Sequence, residues 1–318
     1  MKKFIINITI FSIALLVFSF LADFFISKEL RRSGDEYSVW NDIIDGKVNS
    51  NIVIYGSSRA WVQIDPTTIG DSLHTSVYNL GIDGHNFWLE YLRHKLLLEH
   101  NFKPKLIIFS LDIYTLQKRE DLYNSDQFLP YMLFNKEIEN ATISYKGFSV
   151  SDYYIPLIRY YGNRTAILYA LKSFIRPPRP SSLRVRGYLG QEKTWNSDFE
   201  AAEKKIKYYE VKLDTPTIKL FERFLTECKN NNIKIIFVYT PEYIKGQKFI
   251  KNRNDILSLF TSFSKQFDIP FYDFSNDSLS FQKKYFYNAE HLNKTGSELF
   301  TKKLISILKN KQYLNLTS

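Results

Sequence analysis

A short apolar run that ends in a glycine and two serines constrains the fold of this chain more than any other segment. The residues from Ile52 to Tyr55 are β-branched or aromatic, and Gly56, Ser57 and Ser58 follow at once. Such a run is typical of a strand covered on both faces, as in the parallel sheets of α/β proteins. Because Gly56 permits a sharp turn, we expect Ser58 at the carboxyl edge of a parallel sheet, where open α/β folds bind their ligands. Ser58 is then either a nucleophile or, with Ser57, a cap of the following helix.

Apolar runs and amphipathic stretches alternate along the rest of the chain. This alternation predicts a central parallel sheet with right-handed crossovers and helices on both faces, which is a three-layer α/β/α fold. A chain of 318 residues has room for one such core of about 250 residues and for an insertion. The predicted strands cover 52–55, 76–80, 106–111, 233–239 and 270–274, and the predicted helices include 87–100, 216–228 and 255–267.

A histidine near the other end of the chain could supply the base that a serine nucleophile needs. His291 precedes an amphipathic stretch with Leu299, Phe300 and Leu304 at helical spacing. Serine is a weak nucleophile at its ordinary pKa, and histidine is the base that usually activates it. A lone histidine before a helix is otherwise a capping or packing residue. The serine turn and His291 together favour the catalytic interpretation.

Three short blocks resemble the SGNH hydrolases, also called GDSL-type esterases, and within them the membrane-anchored members of bacterial cell-envelope acylation systems. The blocks are Gly56-Ser57-Ser58, the segment Asn79 to Gly84, and His291-Leu292-Asn293 with Gly296. The resemblance spans about residues 50–310 and implies a three-layer, flavodoxin-like α/β fold without a cofactor. It also implies that Ser58 is the nucleophile, that His291 is the base, and that the amides of Ser58 and Gly84 form the oxyanion hole.

The third block of the family departs from its pattern in this chain. The family carries Gly-x-Asn-Asp after a strand, whereas here the strand 106–111 is followed by Asp112. An ionised carboxylate has no proton to donate to an oxyanion, so either Asp112 is protonated or other donors form the hole. Asn79 and Asn86 are the nearby candidates, and with Arg59 they are also candidates for weak substrate contacts.

The acid that orients the histidine is also missing from its usual place. The family has an aspartate three residues before the histidine, and this chain has Asn288 there. A neutral amide stabilises a protonated imidazole less well than a carboxylate does. Glu290 and Asp112 are the alternative orienting residues. A weakened enzyme, a serine–histidine dyad and a non-catalytic relative all stay open at this point.

The amino terminus predicts a membrane anchor. Lys2 and Lys3 precede an apolar run from Phe4 to about Ala22. At about 1.5 Å per residue, these roughly 19 residues cover close to 30 Å, enough to span a bilayer. Because Phe20-Leu21-Ala22 is a poor cleavage site, we favour an uncleaved anchor over a signal peptide. Short tails before a single span normally stay inside, so we expect an extracytoplasmic catalytic domain at the cytoplasmic (inner) membrane, although Lys28, Arg31 and Arg32 on the far side oppose this orientation.

The predicted organisation is an anchor over 1–27, a linker over 28–50 and an SGNH-like α/β domain over 51–318. An insertion at about 115–212 is rich in Tyr, Phe and Arg. Its aromatic faces suit sugar rings, and its arginines could hold phosphate or carboxylate groups. Alternatively, the aromatics form a small satellite core and the arginines are solvated or lie against lipid. The arginines concerned are Arg176, Arg179, Arg184 and Arg186.

Composition limits the other classes of function. A net charge of +10 suggests an anionic neighbourhood, such as phospholipid head groups or acidic envelope polymers. We expect no nucleic-acid partner, since a basic helix repeat, a zinc knuckle and an RNA-binding aromatic motif are all missing. The single Cys228 excludes an internal disulfide and suits a core position. The histidines show no metal-ligand spacing, and His94 is expected on the polar side of its helix.

These observations predict a membrane-anchored serine esterase or O-acyltransferase. The resemblance to anchored envelope members implies an acylated glycan as the substrate, either a cell-envelope polysaccharide or a lipid-linked polymer. The alternative is a catalytically inactive scaffold or binding protein of an envelope biosynthesis complex, which Asn288 and Asp112 favour.

Overall fold

The computed structural model describes residues 1–32, 34, 36–84, 87–176, 184–311 and 313. Five strands are present in the described chain: β1 Ile52–Gly56, β2 Val77–Asn79, β3 Leu106–Leu111, β4 Lys234–Tyr239 and β5 Phe271–Asp273. The α-helices of the described chain are α1 Lys2–Arg31, α2 Glu36–Ile44, α3 Ser58–Gln63, α4 Pro66–Leu73, α5 Phe87–His100, α6 Lys136–Thr142, α7 Ser151–Tyr154, α8 Arg164–Ile175, α9 Asp198–Lys205, α10 Thr215–Asn230, α11 Ile244–Phe249, α12 Arg253–Phe267 and α13 Lys294–Lys311.

The chain divides into two compact units. The helical unit consists of Met1–Asn41 and Glu120–Leu183, and the sheet unit consists of Asp42–Arg119 and Arg184–Ser318. The division differs in detail from the expected organisation. Helix α1 continues four residues past the expected anchor boundary, and α2 occupies much of the segment expected to be a linker. Only part of the expected insertion belongs to the helical unit, and its remainder returns to the sheet unit.

The sheet unit has the predicted parallel α/β architecture. All strand pairs are parallel, in the order β2-β1-β3-β4-β5. Alternate residues of each strand point to opposite faces. Ile54, Ile108 and Ile236 belong to one cluster with α13 residues such as Phe300. The Phe109 ring instead contacts aromatic rings of α5 and α10, in tilted and edge-to-face arrangements. Helices therefore cover both faces, which confirms the three-layer fold.

The carboxyl ends of β1, β3 and β4 meet at one edge of the sheet. Gly56 pairs with Ser110, and Ser110 with Val238, so the segments that follow these three strands begin side by side. A Cβ on Gly56 would lie 2.5 Å from the Ser110 carbonyl oxygen, and Gly56 has φ of +139°. Only glycine fits there, because both the close approach and the backbone angle exclude a side chain.

The helical unit has an aromatic core of its own. Trp40 is fully buried, lies 5.4 Å from the ring of Phe128, and donates a 2.9 Å hydrogen bond from Nε1 to Gln127. Arg159 is also buried and forms an ion pair with Asp23 of α1 at 2.7 Å. In the described chain, α1 is the helix long and apolar enough to cross a membrane.

The arginines predicted to hold anions have different surroundings in the structure. Arg184 is buried, with its guanidinium 4.0 Å from the ring centre of Trp61, and it donates to the Gly81 carbonyl at 3.1 Å. Arg176 is exposed at the end of α8, and Arg186 has φ of +47° in a tight turn. Arg179 lies outside the described residues.

Candidate active site

Ser58 lies where β1 gives way to α3. Ser57 precedes the helix in extended conformation and accepts a hydrogen bond from the Arg59 amide at 3.3 Å. Ser57 is therefore the helix cap, and the hydroxyl of Ser58 is not needed to cap the helix. The two roles that the sequence offered for this serine pair are divided between its members.

His291 reaches Ser58 across 233 positions of the chain. Ser58 Oγ and His291 Nε2 are 2.7 Å apart. This distance is within the range expected between a nucleophile and its general base. Ser58 is buried and His291 is partly buried, so the pair is shielded from much of the bulk water.

Asn288 orients the imidazole. Its Oδ1 is 2.9 Å from His291 Nδ1 and accepts hydrogen bonds from the backbone amides of Glu290 and His291 at 3.0 and 2.9 Å. Because two backbone N–H groups point at the same atom, that atom must be the amide oxygen and not the nitrogen. His291 Nδ1 then carries the proton, and Nε2 is left as the acceptor that faces Ser58. Asn288 thus selects the tautomer that a general base requires.

The two alternative orienting carboxylates lie elsewhere. The Asp112 carboxylate accepts from the Ser57 hydroxyl and, at 2.7 Å, from the Tyr114 amide. Glu290 accepts a 2.9 Å hydrogen bond from the Tyr114 hydroxyl. These hydrogen bonds of Asp112 and Glu290 do not involve the imidazole, and Asn288 is the candidate that the structure brings to His291. Burial, with the nearby Glu290 charge, raises the pKa of Tyr114 and keeps its phenol a donor.

An aromatic ring supports one face of the histidine. The Tyr287 ring stacks on the His291 ring with a centroid distance of 5.3 Å and an interplanar angle of 13°. The Lys193 ammonium lies 5.4 Å from the centre of the Tyr287 ring. Burial raises the pKa of Tyr287, so this ring stays neutral beside the imidazole. Sequence reasoning missed Tyr287, although its place four residues before His291 was visible.

The expected oxyanion donors are split between described and undescribed residues. The Ser58 amide is the first of α3, and the first amides of a helix have no partner within it. Gly84 has φ of +102°, a conformation that favours glycine. Asn86 lies outside the described residues.

Asn79 is a structural residue and not a substrate contact, contrary to expectation. It is fully buried, and its Nδ2 donates to the carbonyls of Ala60 and Ile64 at 2.8 Å each. Its Oδ1 accepts from the Gly81 amide at 2.9 Å. All of its amide atoms are thereby occupied in holding the segment after β2 against α3, because a buried amide needs partners for each of its polar atoms.

Arg59 is likewise turned away from any substrate. It is 3% exposed and lies with its guanidinium 4.7 Å from the centre of the Tyr239 ring. Its Nη1 donates to Glu242 at 2.7 Å and its Nε to Thr240 Oγ1 at 3.1 Å. The expectation of a substrate contact is therefore wrong in this structure, since the side chain ties the serine turn to the segment after β4.

An apolar pocket borders the histidine loop. Its volume is about 340 Å³, and its wall includes Tyr114, Asn288 and Glu290. The carboxylate residues Asp198 and Glu242 also line it, and the rest of the wall is mainly aliphatic or aromatic: Ile113, Phe199, Ala202, Ile206, Tyr209, Phe249 and Ile250. The volume is at the small end of the range for organic ligands.

Among the described residues, no group of three or more His, Cys, Asp and Glu side chains is arranged to hold a metal ion. His94 is buried on α5, contrary to the expected polar side, with Nδ1 3.1 Å from the Tyr55 hydroxyl. His85 lies outside the described residues.

No protein-family model matches this chain, and no curated protein matches it. The solved structure of a GDSL-like lipase from Bacteroides thetaiotaomicron is similar to this chain, with 13% sequence identity and a TM-score of 0.39. The alignment covers 89% of this chain and 98% of the lipase chain. An acylhydrolase candidate from Bacteroides fragilis is also similar, with 14% sequence identity and a TM-score of 0.36. That alignment covers 83% of this chain and 88% of the Bacteroides fragilis chain. Scores this low assign no activity to the present chain.

Proposed function

We propose that the protein is a membrane-anchored serine esterase or O-acyltransferase of the SGNH type. The observation that carries the proposal is the hydrogen-bonded series from Ser58 Oγ through the His291 ring to Asn288 Oδ1. A nucleophile, a base and a group that fixes the tautomer of the base are the parts that acyl transfer through a serine requires.

The reaction begins when Ser58 Oγ attacks an ester carbonyl and passes its proton to His291 Nε2. The imidazolium keeps its other proton on Nδ1, which is hydrogen-bonded to Asn288 Oδ1. The amides of Ser58 and Gly84 are the candidate donors to the oxyanion of the tetrahedral intermediate. His291 then returns the proton to the leaving alcohol. Water or a glycan hydroxyl attacks the acyl-enzyme, and the same groups act in reverse.

A neutral amide in place of the usual acid is compatible with this chemistry. Asn288 fixes the ring and its tautomer as an aspartate would, but it adds no negative charge to stabilise the imidazolium. Cysteine–histidine–asparagine sites show that an amide can serve as the third member. We expect a slower enzyme and not an inactive one.

The apolar pocket is the proposed site for the acyl group. It shares Asn288 and Glu290 with the histidine loop, and its aliphatic and aromatic wall suits a hydrocarbon chain. Tyr114 and Glu290, hydrogen-bonded at 2.9 Å, contribute polar atoms to its wall.

The proposed substrate is an acyl ester of a cell-envelope polysaccharide or of a lipid-linked polymer. The resemblance to anchored envelope proteins and the apolar helix α1 support this class.

A fluorophosphonate probe on the full chain in detergent tests the catalytic role. We expect labelling of the wild type and its loss in Ser58→Ala and His291→Ala, with ester hydrolysis falling by at least about 10³-fold in each. Ser262→Ala is the control, because Ser262 is exposed on α12 and its variant should label like the wild type. If all four proteins behave alike and short acyl esters stay intact, the esterase proposal fails and the inactive scaffold becomes the better interpretation.

A further inference from the structure

Helix α8 of the helical unit has an apolar outer face that the described residues leave exposed. Leu168, Leu171, Phe174 and Ile175 of α8 are 66%, 45%, 60% and 74% exposed. The opposite side of α8, with Ala166, Ala170 and Ser173, is buried. A helix on a water-exposed surface normally has polar residues on its outer side. The outer stripe of α8 is therefore built for an apolar neighbour.

This stripe lies beside the apolar helix α1. The rings of Phe25 and Phe174 meet edge to face at 5.2 Å, and Leu30 lines the same cavity as Ala166. Since the start of α8 is near Leu30 and its end is near Phe25, α8 runs antiparallel to α1. Its last turn is the part nearest to the exposed length of α1, which covers residues 1–18.

Further exposed apolar residues lie at the same level of α1. Phe134 is 60% exposed, and its ring stacks on Phe20 of α1 at 6.3 Å. Tyr154, which is 44% exposed, contacts Phe134 edge to face at 6.3 Å. The buried part of α1 begins at Asp23. These aromatic residues therefore lie close to the point at which α1 leaves the protein. Tyrosine at that depth is typical of a membrane–water interface.

A buried polar network holds α1 at a fixed position in the unit. Arg159 donates to both carboxylate oxygens of Asp23 at 2.7 Å, and the Leu157 amide donates to Asp23 Oδ2 at 2.8 Å. Ser27 and Tyr160 are hydrogen-bonded at 2.8 Å. Because the charge of Asp23 is paired inside the protein, the span can end there without exposing a carboxylate to lipid.

We propose that this face of the helical unit, formed by the outer stripe of α8 with Phe134 and Tyr154, is seated in the surface of a phospholipid bilayer. Lys172 and Arg176, both exposed near the end of α8, would reach anionic head groups from the same helix. The inference rests on the proposed membrane anchoring by α1. It adds a second membrane contact besides α1. With both contacts, the helical unit lies against the bilayer and is not held at a distance from it by α1 alone.

Fluorescent labels placed on α8 test this contact in the full chain. The starting point is Cys228→Ser, which removes the single cysteine, with Leu168→Cys or Ile175→Cys added for an environment-sensitive label. Both sites are more than 60% exposed, so labelling should not disturb packing. Ser262→Cys on α12 is the matched control on an exposed helix of the sheet unit. The proteins are reconstituted into vesicles of phosphatidylethanolamine and phosphatidylglycerol, with and without brominated acyl chains.

We expect every variant to float with the vesicles. Brominated lipid should quench the labels at 168 and 175, more strongly at 175, and spare the label at 262. Flotation with equal quenching at all three sites would overturn the seated face while leaving the anchor intact. Failure to float would overturn the anchor itself. Labels shielded from water but not quenched, to a degree that rises with protein-to-lipid ratio, would assign the face to a second copy of the chain and would also overturn the proposal.

Discussion

At the scale of single residues, Asn288 decides how well His291 works as a base. Asn288→Asp retains an oxygen acceptor for all three hydrogen bonds that Oδ1 now accepts and adds a negative charge beside the ring. A nearby negative charge favours the protonated imidazole. We therefore expect the acid limb of the pH–rate profile to move to higher pH, with the maximal rate retained or raised.

Asn288→Ala is the matched control for this effect. It removes the acceptor of the Nδ1 proton and frees the ring, and a misplacement of about 1 Å can cost about 10²-fold in rate. Steady-state rates on a short acyl ester between pH 5 and 9 would check both variants. Rates in Asn288→Ala equal to those of the wild type would show that the 2.9 Å contact has no part in catalysis.

The sequence could predict those site residues whose role is visible locally. Ser58 follows a buried strand and a glycine, and His291 precedes an amphipathic helix, so each carries its own signal. Arg59 and Asn79 carry no such signal, because their roles come from partners that only the fold supplies. Arg59 binds Thr240, 181 positions away, and no spacing rule could have indicated that contact.

At the scale of elements, α5 carries the buried carboxyl of Glu90, whose titration makes the folded chain less stable at neutral pH than at acidic pH. Burial raises the pKa of Glu90 well above its ordinary value, with a further contribution from Asp112 and an opposing one from Arg93. The folded chain then holds a proton that the unfolded chain releases above about pH 4.5, so the contribution of Glu90 to stability is complete below that pH and is lost as pH rises.

Glu90→Gln should remove this loss. We expect the difference in melting temperature between the variant and the wild type, measured in detergent from pH 5 to 8, to move steadily in favour of the variant as pH rises. The neutral amide of glutamine has a cost of its own when buried, so the slope and not the offset is the test. Glu298→Gln, at an exposed position of α13, is the matched control against which the slope is read. Parallel curves for Glu90→Gln and the wild type would contradict the assignment.

Helix α9 offers a direct test of the acyl pocket. Ala202 lines the pocket, whereas the neighbouring Ala201 is exposed. Ala202→Trp should fill the space and lower kcat/KM for medium-chain esters relative to acetyl esters by at least about 10-fold, since even one methylene changes specificity by that order. Ala201→Trp should leave the chain-length profile unchanged. The proposal for the pocket would be refuted if the two variants showed the same profile.

At the scale of the whole molecule, the layered sheet was predictable and the partition into two units was not. The sheet follows from apolar runs and helical periods that each span fewer than about 20 residues. The helical unit instead depends on pairing between α1 and a segment more than 100 positions away, through contacts such as Asp23 with Arg159. The residue pattern of either segment does not show that it packs against the other segment. The expected linker and insertion boundaries therefore differ from the boundaries of the two units.

Under the proposed membrane anchoring, the orientation of α1 decides on which side of the membrane the candidate active site lies. Lys2 and Lys3 precede the span, whereas Lys28, Arg31 and Arg32 follow it. In the folded unit Arg31 donates to Asn41 at 2.8 Å and Arg32 pairs with Glu29 at 2.9 Å, so two of the three distal cations have partners in the protein. We expect the amino terminus to stay inside, as the proximal lysines direct.

Exchanging these lysines provides the test. In bacterial cells, a carboxyl-terminal alkaline phosphatase fusion should be active on the wild-type chain and lose activity in Lys2→Glu with Lys3→Glu, because the remaining positive charge then lies beyond the span. Lys309→Glu with Lys311→Glu removes the same number of charges far from α1 and should leave the fusion active. An inactive wild-type fusion would place the serine site in the cytoplasm. That result would contradict the proposal of an extracytoplasmic envelope substrate.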